Sequence, residues 1–315
     1  MPSDPAVLLM AYGSPNSLDE VSDYLQEIRG RPVTPVEAEQ LRERYRRVGG
    51  KTPLLAKTQL QATGLQQRLT ELGIHANVYV GMKHWHPFIG QVVERIVGEG
   101  AGLVVGVAMA PHYSRLSIGG YEELVRKALL NVRSETSFVM VRSWHTQPAL
   151  IRTLADRIAK GIEILDGPSR LVILFTAHSL PKRAVGPNDP YESQLRETSK
   201  LVAKEAKVQR WDFAFQSAGK PREEWLGPQI DEKILELSNE GYRKILVCPV
   251  GFVSDHLEIL HDLDIEARNF ASSLGVKMAR TDSLNDDSGL IQALADVVKP
   301  ILSVGPTVST ASSTR

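Results

Sequence analysis

A histidine at the end of one apolar run, and carboxylates spaced four apart after another, are the groups here with most chemistry to offer. His178 closes the run RLVILFTAH and is followed by Ser179. Glu258, Asp262 and Glu266 follow the run KILVCPVGF, inside SDHLEILHDLDIEARNF. On a helix, residues four apart lie along one face, so the three carboxylates form an acidic stripe. Like charges on one stripe repel, and taken alone such a stripe is usually a solvated helical face. Its start directly after a buried-strand run places Glu258 at the ligand end of a sheet instead. From there a row of carboxylates leading to solvent is a path for a divalent cation. His178 with Glu258 makes a mixed nitrogen and oxygen site, which suits iron or zinc better than a purely oxygen-seeking ion.

Three further polar clusters sit at the ends of apolar runs, where open parallel sheets bind ligands. They are Tyr12 with Ser14, His112 with Tyr113 and Ser114, and Asp255 with His256. A cleft between two halves of the chain would collect all of them. Basic residues crowd the first third: Arg29 and Arg31, then Arg42, Arg44, Arg46 and Arg47 before a Gly-Gly turn. Arginines on a helix are commonly just solvated, but beside Tyr45 and Thr52 they could clamp carboxylates bidentately. Other chemistries find no support. HExxH and HxxEH pairings are absent, and no GxGxxG or GxxxxGK[ST] follows a strand, so a nucleotide cofactor is not expected. The single cysteine, Cys248, rules out an iron–sulfur cluster ligated within one chain and reads as a core residue.

The elements that must hold these residues alternate in a regular way. AVLLMAY, ANVYVGM, GLVVGVAMA, SFVMVRSW, RLVILFTAH, WDFAFQS and KILVCPVGF read as strands covered on both faces. Helical stretches such as TQLQATGLQQRLTELG and PFIGQVVERIVGEG separate them and close on glycine. Repeated βα alternation predicts an α/β fold of two similar Rossmann-like domains, each a parallel sheet flanked by helices. The expected boundaries are 1–145, 146–302 and a disordered, Ser/Thr-rich tail over 303–315. A faint echo supports a duplication: LLMAYGSP against ILFTAHSLP, and VVGVAMAPHYS against ILVCPVGFVSDH. Lys plus Arg and Asp plus Glu balance at 37 each, so no global field draws nucleic acid or an anionic membrane. The start lacks a signal peptide and no apolar run approaches a membrane span, so a cytoplasmic protein is expected.

Taken in order, AYGSP, YRRVGGKTPL, KHWHPFI, APHYS, AHSLP, DPY, WLGP and VGFVSDHLEILHDLDIE resemble the ferrochelatase family across nearly the whole chain. The resemblance implies a porphyrin cleft between the two domains and insertion of ferrous iron, as substrate, into a free porphyrin. It implies that His178 and Glu258 face each other across the cleft, with His178 as a neutral proton acceptor for the pyrrole N–H groups. Glu258 would strip water from the iron, and Asp262 and Glu266 would extend the metal side. By the same resemblance Tyr12 is a possible axial ligand of the product. Arg29, Arg44, Tyr45, Thr52 and Tyr121 match positions that contact propionates or the ring edge, and Lys83 and His84 join them. KHWHPFI and APHYSRLSIGGY look like the branch that metallates coproporphyrin III, whereas the C-terminal third looks closer to the protoporphyrin IX branch. A monomer in passing contact with the neighbouring haem-pathway enzyme is the expected state. The rivals are a cobalt chelatase acting on sirohydrochlorin, whose active site tends to carry paired histidines, and a non-catalytic haem carrier, which would need no proton acceptor.

Overall fold

The computed structural model describes residues 4–219 and 223–304. Its strands are β1 (Ala6–Ala11), β2 (Asn77–Met82), β3 (Leu103–Ala108), β4 (Ser137–Val141), β5 (Leu171–His178), β6 (Trp211–Gln216), β7 (Lys244–Cys248) and β8 (Lys277–Arg280). The α-helices are α1 (Val21–Arg29), α2 (Pro35–Arg47), α3 (Leu54–Glu71), α4 (Ile89–Gly98), α5 (Gly120–Asn131), α6 (Pro148–Ile164), α7 (Tyr191–Glu205), α8 (Ile230–Asn239), α9 (Arg268–Ser273) and α10 (Ser288–Val304). Two π-helices, Arg115–Gly119 and Glu258–Ala267, and a 3₁₀ turn, Lys182–Ala184, complete the set.

All strand pairs are parallel, and the two four-stranded sheets have orders β2-β1-β3-β4 and β6-β5-β7-β8. These are the same order twice, with β1 answering β5 and β3 answering β7. The two sequence echoes fall on those pairs. Each sheet also places a π-helix after its third strand, so the repetition extends beyond the strands. The sequence had offered seven strands; β8, within VKMAR, was not among them. It is a short edge strand with charged residues at both ends, and it carries too little apolar alternation to stand out.

Alternation along the central strands sends neighbouring side chains to opposite faces. On β1, Ala6, Leu8 and Met10 pack under α4 and α5, while Val7 and Leu9 point the other way. On β5, Val172 and Leu174 pack with α8, α9 and the second π-helix, while Ile173 and Phe175 point the other way. The two opposite-facing sets meet in one apolar cluster with Leu65 of α3, Leu154 of α6 and Leu294 of α10. The inner faces of both sheets therefore share a core. α10 reaches back from the second half to pack along α3, so the halves are joined by more than a linker. Helix α2 is set by a capping box in which the Thr34 side chain and Glu37 satisfy each other's backbone N–H. Ser303 and Val304, expected to belong to the disordered tail, are the last residues of α10; the rest of that expected tail, 305–315, lies outside the described residues.

Candidate active site

β5 delivers His178 at its last position, and the loop after β7 leads to Glu258 at the start of the second π-helix. Because β5 and β7 are neighbours in the sheet, the two side chains meet: His178 Nε2 lies 3.2 Å from Glu258 Oε1. The other ring nitrogen, Nδ1, faces the main-chain oxygen of Ser179. Both nitrogens thus face acceptors, an arrangement that fits the doubly protonated ring. Burial works against charge on His178, but the Glu258 carboxylate outweighs it and raises the imidazole to about 9. Burial likewise works against charge on Glu258, and His178, then His256, hold its carboxyl well below the usual range. The pair is an imidazolium–carboxylate pair near neutral pH. The sequence suggested a neutral imidazole, a state the reference pKa supports only where no carboxylate stands beside the ring.

Neighbouring groups fix this pair. Tyr191 donates from its hydroxyl to the His178 main-chain oxygen at 3.0 Å. His256 Nε2 lies 3.5 Å from the second Glu258 oxygen, and its Nδ1 is 3.0 Å from the Ser254 main-chain oxygen. Gly251 presses its backbone onto β5: a Cβ there would stand 2.6 Å from the Ala177 Cβ and 2.9 Å from its Cα. Only glycine permits that approach beside His178.

The acidic stripe runs along a π-helix, wider than the α-helix that four-residue spacing suggests. Glu258 points to His178, whereas Asp262 is held by Ser217, which donates at 2.6 Å, and by the Arg44 guanidinium from α2. Glu266 is mostly exposed and lies 3.7 Å from His261 Nδ1. His261, Asp262 and Glu266 bring potential ligand atoms within 4.8 Å of one another. The four residues expected to form one metal-side set are thus divided, with His178 and Glu258 in one group and Asp262 and Glu266 around the buried His261. Arg44 Nε lies 3.4 Å from His261 Nδ1, and Arg47 Nη1 lies 3.2 Å from its Nε2. These contacts tie α2 to the π-helix.

On the first half, Tyr12 follows β1 and is 45% exposed, in a position to meet a ligand. Burial, then the charge of Glu258, push its phenol up to about 12. The His84 ring lies 4.7 Å from that of Tyr12, and burial, then the neighbouring Lys83, lower His84 to about 4. The Lys83 ammonium stands 5.3 Å from the centre of the Tyr121 ring. Thr52 donates to Ser14 at 2.8 Å, and Ser14 shares a 3.1 Å hydrogen bond with the Tyr45 hydroxyl. Tyr45 is buried, with its hydroxyl turned to Ser14. Arg29 and Arg44, expected to hold ligand carboxylates, are ion-paired within the chain to Glu37 and Asp262.

His112 and Asp255, from two of the sequence clusters, turn away from this site, whereas His256 stays beside Glu258. His112 is buried, with Nε2 2.8 Å from Thr198 Oγ1 of α7, and burial, then nearby His145, lower it to about 3. Asp255 accepts from Ser283 at 2.7 Å and from Asn285 at 2.9 Å, pinning the loop after β8. The sequence reading gave no role to Tyr191, Gln216, Ser217 or His261. Gln216 and Ser217 could have been suspected from their place at the end of a strand run, but their partners are far away in sequence. Cavities of about 390 Å³, bounded by Lys57, Arg157 and the 282–287 loop, and about 450 Å³, beside β2, do not have His178 or Glu258 in their walls.

This arrangement, with paired parallel sheets and the site at their carboxyl ends, is the fold of chelatases. The sirohydrochlorin chelatase SirB from Bacillus subtilis subspecies spizizenii, solved in complex with cobalt, shares it with a TM-score of 0.56 at 12% identity, over 96% of this chain and 97% of that one. The chain belongs to the ferrochelatase family, whose sequence profile matches residues 4–301. It is 42% identical over 302 residues to a ferrochelatase of Herpetosiphon aurantiacus, covering 95% of this chain and 99% of the relative. It is 36% identical over 298 residues to a coproporphyrin III ferrochelatase of Geobacillus kaustophilus, covering 93% and 94%. The protein is a ferrochelatase, an enzyme of haem biosynthesis that inserts iron into a porphyrin. Among the described residues, no helix is long and apolar enough to cross a membrane.

Proposed function

We propose that this ferrochelatase uses coproporphyrin III, with His178 and Glu258 as the reacting pair. The observation that carries the assignment of the pair is the 3.2 Å contact between Nε2 and Oε1 at the carboxyl end of the second sheet. In the resting pair both ring nitrogens of His178 carry protons, so it cannot begin as a base. A ferrous ion approaching Glu258 draws on the same carboxylate charge that keeps His178 protonated. As that charge is shared, burial of the ring favours its neutral form, and His178, 30% exposed, releases one proton to solvent and can then accept one from a pyrrole N–H. Metal arrival and proton removal are thereby coupled through one carboxylate. Glu266, exposed at the far end of the π-helix, would be the solvent end of the cation path, with Tyr12 on the opposite side as an axial group. Tyr121, Lys83, Thr52 and the Tyr45 hydroxyl would meet the ring edge.

The substrate reading is supported by relatives of about 35% identity that are named coproporphyrin III ferrochelatases over nearly their whole length. One observation favours protoporphyrin IX instead: the Arg29 and Arg44 guanidiniums are already ion-paired, which leaves fewer cations for four propionates. Anaerobic metallation kinetics with ferrous iron and each porphyrin side by side decides between them. A kcat/KM at least about tenfold higher for coproporphyrin III, or about 1.4 kcal/mol, is the expected result; preference for protoporphyrin IX would reverse the assignment.

A further inference from the structure

We infer that Gln216 is a positioning residue for the reacting pair, acting through the main chain of Glu258. Gln216 ends β6 and stands in register beside His178 on β5. Its side chain is fully buried, where a carboxamide is costly unless its polar atoms find partners. Those partners lie on the two elements that carry the pair. Thr176, two residues before His178, donates its hydroxyl to Gln216 Oε1 at 2.8 Å. Gln216 Nε2 in turn donates to the main-chain oxygen of Glu258 at 3.1 Å. The main-chain oxygen of Gln216 accepts from Ser179 N, one residue after His178, at 2.8 Å. One residue therefore grips β5 on both sides of His178 and holds the first residue of the π-helix.

The next residue extends the same device. Ser217 has φ of 59°, a left-handed conformation uncommon for residues with a side chain. In that conformation its hydroxyl donates to Asp262 Oδ2 at 2.6 Å. The end of β6 thus holds the π-helix at two places, four residues apart. A buried glutamine that only filled space would not need its two ends on opposite partners. Loss of its donor frees the Glu258 main chain, and with it the placement of the carboxylate against His178.

This inference rests on His178 and Glu258 being the reacting pair, and the test separates the two ideas. Gln216→Met keeps the length of the side chain and removes its hydrogen bonds to Thr176 and Glu258, with the weaker one to Ser217. We expect kcat to fall about tenfold or more while the porphyrin KM stays within about twofold, the split that marks an interaction felt in the transition state. In a Glu258→Gln background the same change should add no further loss to the residual turnover, because the two positions act as one unit. Thr176→Val removes one hydroxyl and provides the same readings if Gln216→Met does not fold; a kcat loss of about threefold, absent in the Glu258→Gln background, is expected. A Gln216→Met or Thr176→Val kcat equal to wild type overturns the inference, as does a loss of undiminished size in the Glu258→Gln background. If Glu258→Gln alone keeps wild-type turnover, the pair itself is misassigned, and that failure is seen with Gln216 intact.

Discussion

His178 Nε2, at the end of β5, and Glu258 Oε1, at the start of the second π-helix, approach to 3.2 Å, and each holds the other in its charged form. The coupling has a sign that can be measured. His178 is raised above its ordinary value of 6.5, to about 9, so its contribution to stability is complete below about pH 6.5 and is lost as pH rises through about 9. Glu258 is lowered from 4.5, so its contribution is complete above about pH 4.5 and is lost as pH falls through its lowered value. The difference in melting temperature between wild type and Glu258→Gln should be greatest between about pH 4.5 and 6.5 and shrink on either side. A difference that does not vary with pH would contradict the pairing. Imidazole NMR should show His178 titrating near 9 and moving down in Glu258→Gln.

Removing either partner should stop the chemistry and spare the fold. We expect His178→Ala to lose about 10²- to 10⁴-fold in metallation, the range typical of a positioned acid–base group, while porphyrin binding persists. Glu258→Gln preserves shape and loses charge, and should fall comparably. Turnover near wild type in His178→Ala with ferrous iron would remove the histidine from the mechanism.

Gly251 offers a test of how tightly β5 is held. A methyl group there would meet the Ala177 backbone at 2.9 Å, and backbone cannot yield as a flexible side chain would. Gly251→Ala should destabilise by about 1–3 kcal/mol, as overpacking does, and should slow metallation more than it weakens porphyrin binding. Thermal melts and steady-state kinetics on the same preparation check both halves of this expectation.

Arg44 ties α2 to Asp262 across the two halves. Its side chain is 38% exposed, so solvent screening keeps its contribution to about 1 kcal/mol or less. Because the guanidinium is occupied, Arg44→Ala should change KM for coproporphyrin III and protoporphyrin IX by the same factor. A loss confined to coproporphyrin III would mean that the arginine leaves Asp262 to bind a propionate.

The strands, and His178 and Glu258 as candidates, were legible because they depend on local signals, whereas the facing of the two came only from the family resemblance. Nearly continuous apolar runs mark strands buried on both faces, and a histidine or carboxylate where such a run ends stands out. β8 was not legible because KMAR is short, at an edge and half polar. The π-helix was not, because carboxylates four residues apart are equally compatible with an α-helix. Nor were the engagement of Arg44 by Asp262 and the burial of His112 against Thr198, since both depend on partners brought together only by the tertiary fold. Arg44, which looks available in the sequence, is taken up by a carboxylate from a distant element.

The shared inner core described above, in which Val7 and Leu9 of β1 and Ile173 and Phe175 of β5 enter one apolar cluster with α10, limits how the ancestral repeat can be taken apart. If the halves arose by copying one unit, neither copy has kept an autonomous existence. A fragment ending at residue 145 would lack α6 and α10, leaving the oily side of its sheet covered by α3 alone. It should collect in aggregates, whereas the intact chain should melt in a single calorimetric step. Swapping one half for that of a distant relative should fail for the same reason unless α10 travels with the sheet it covers.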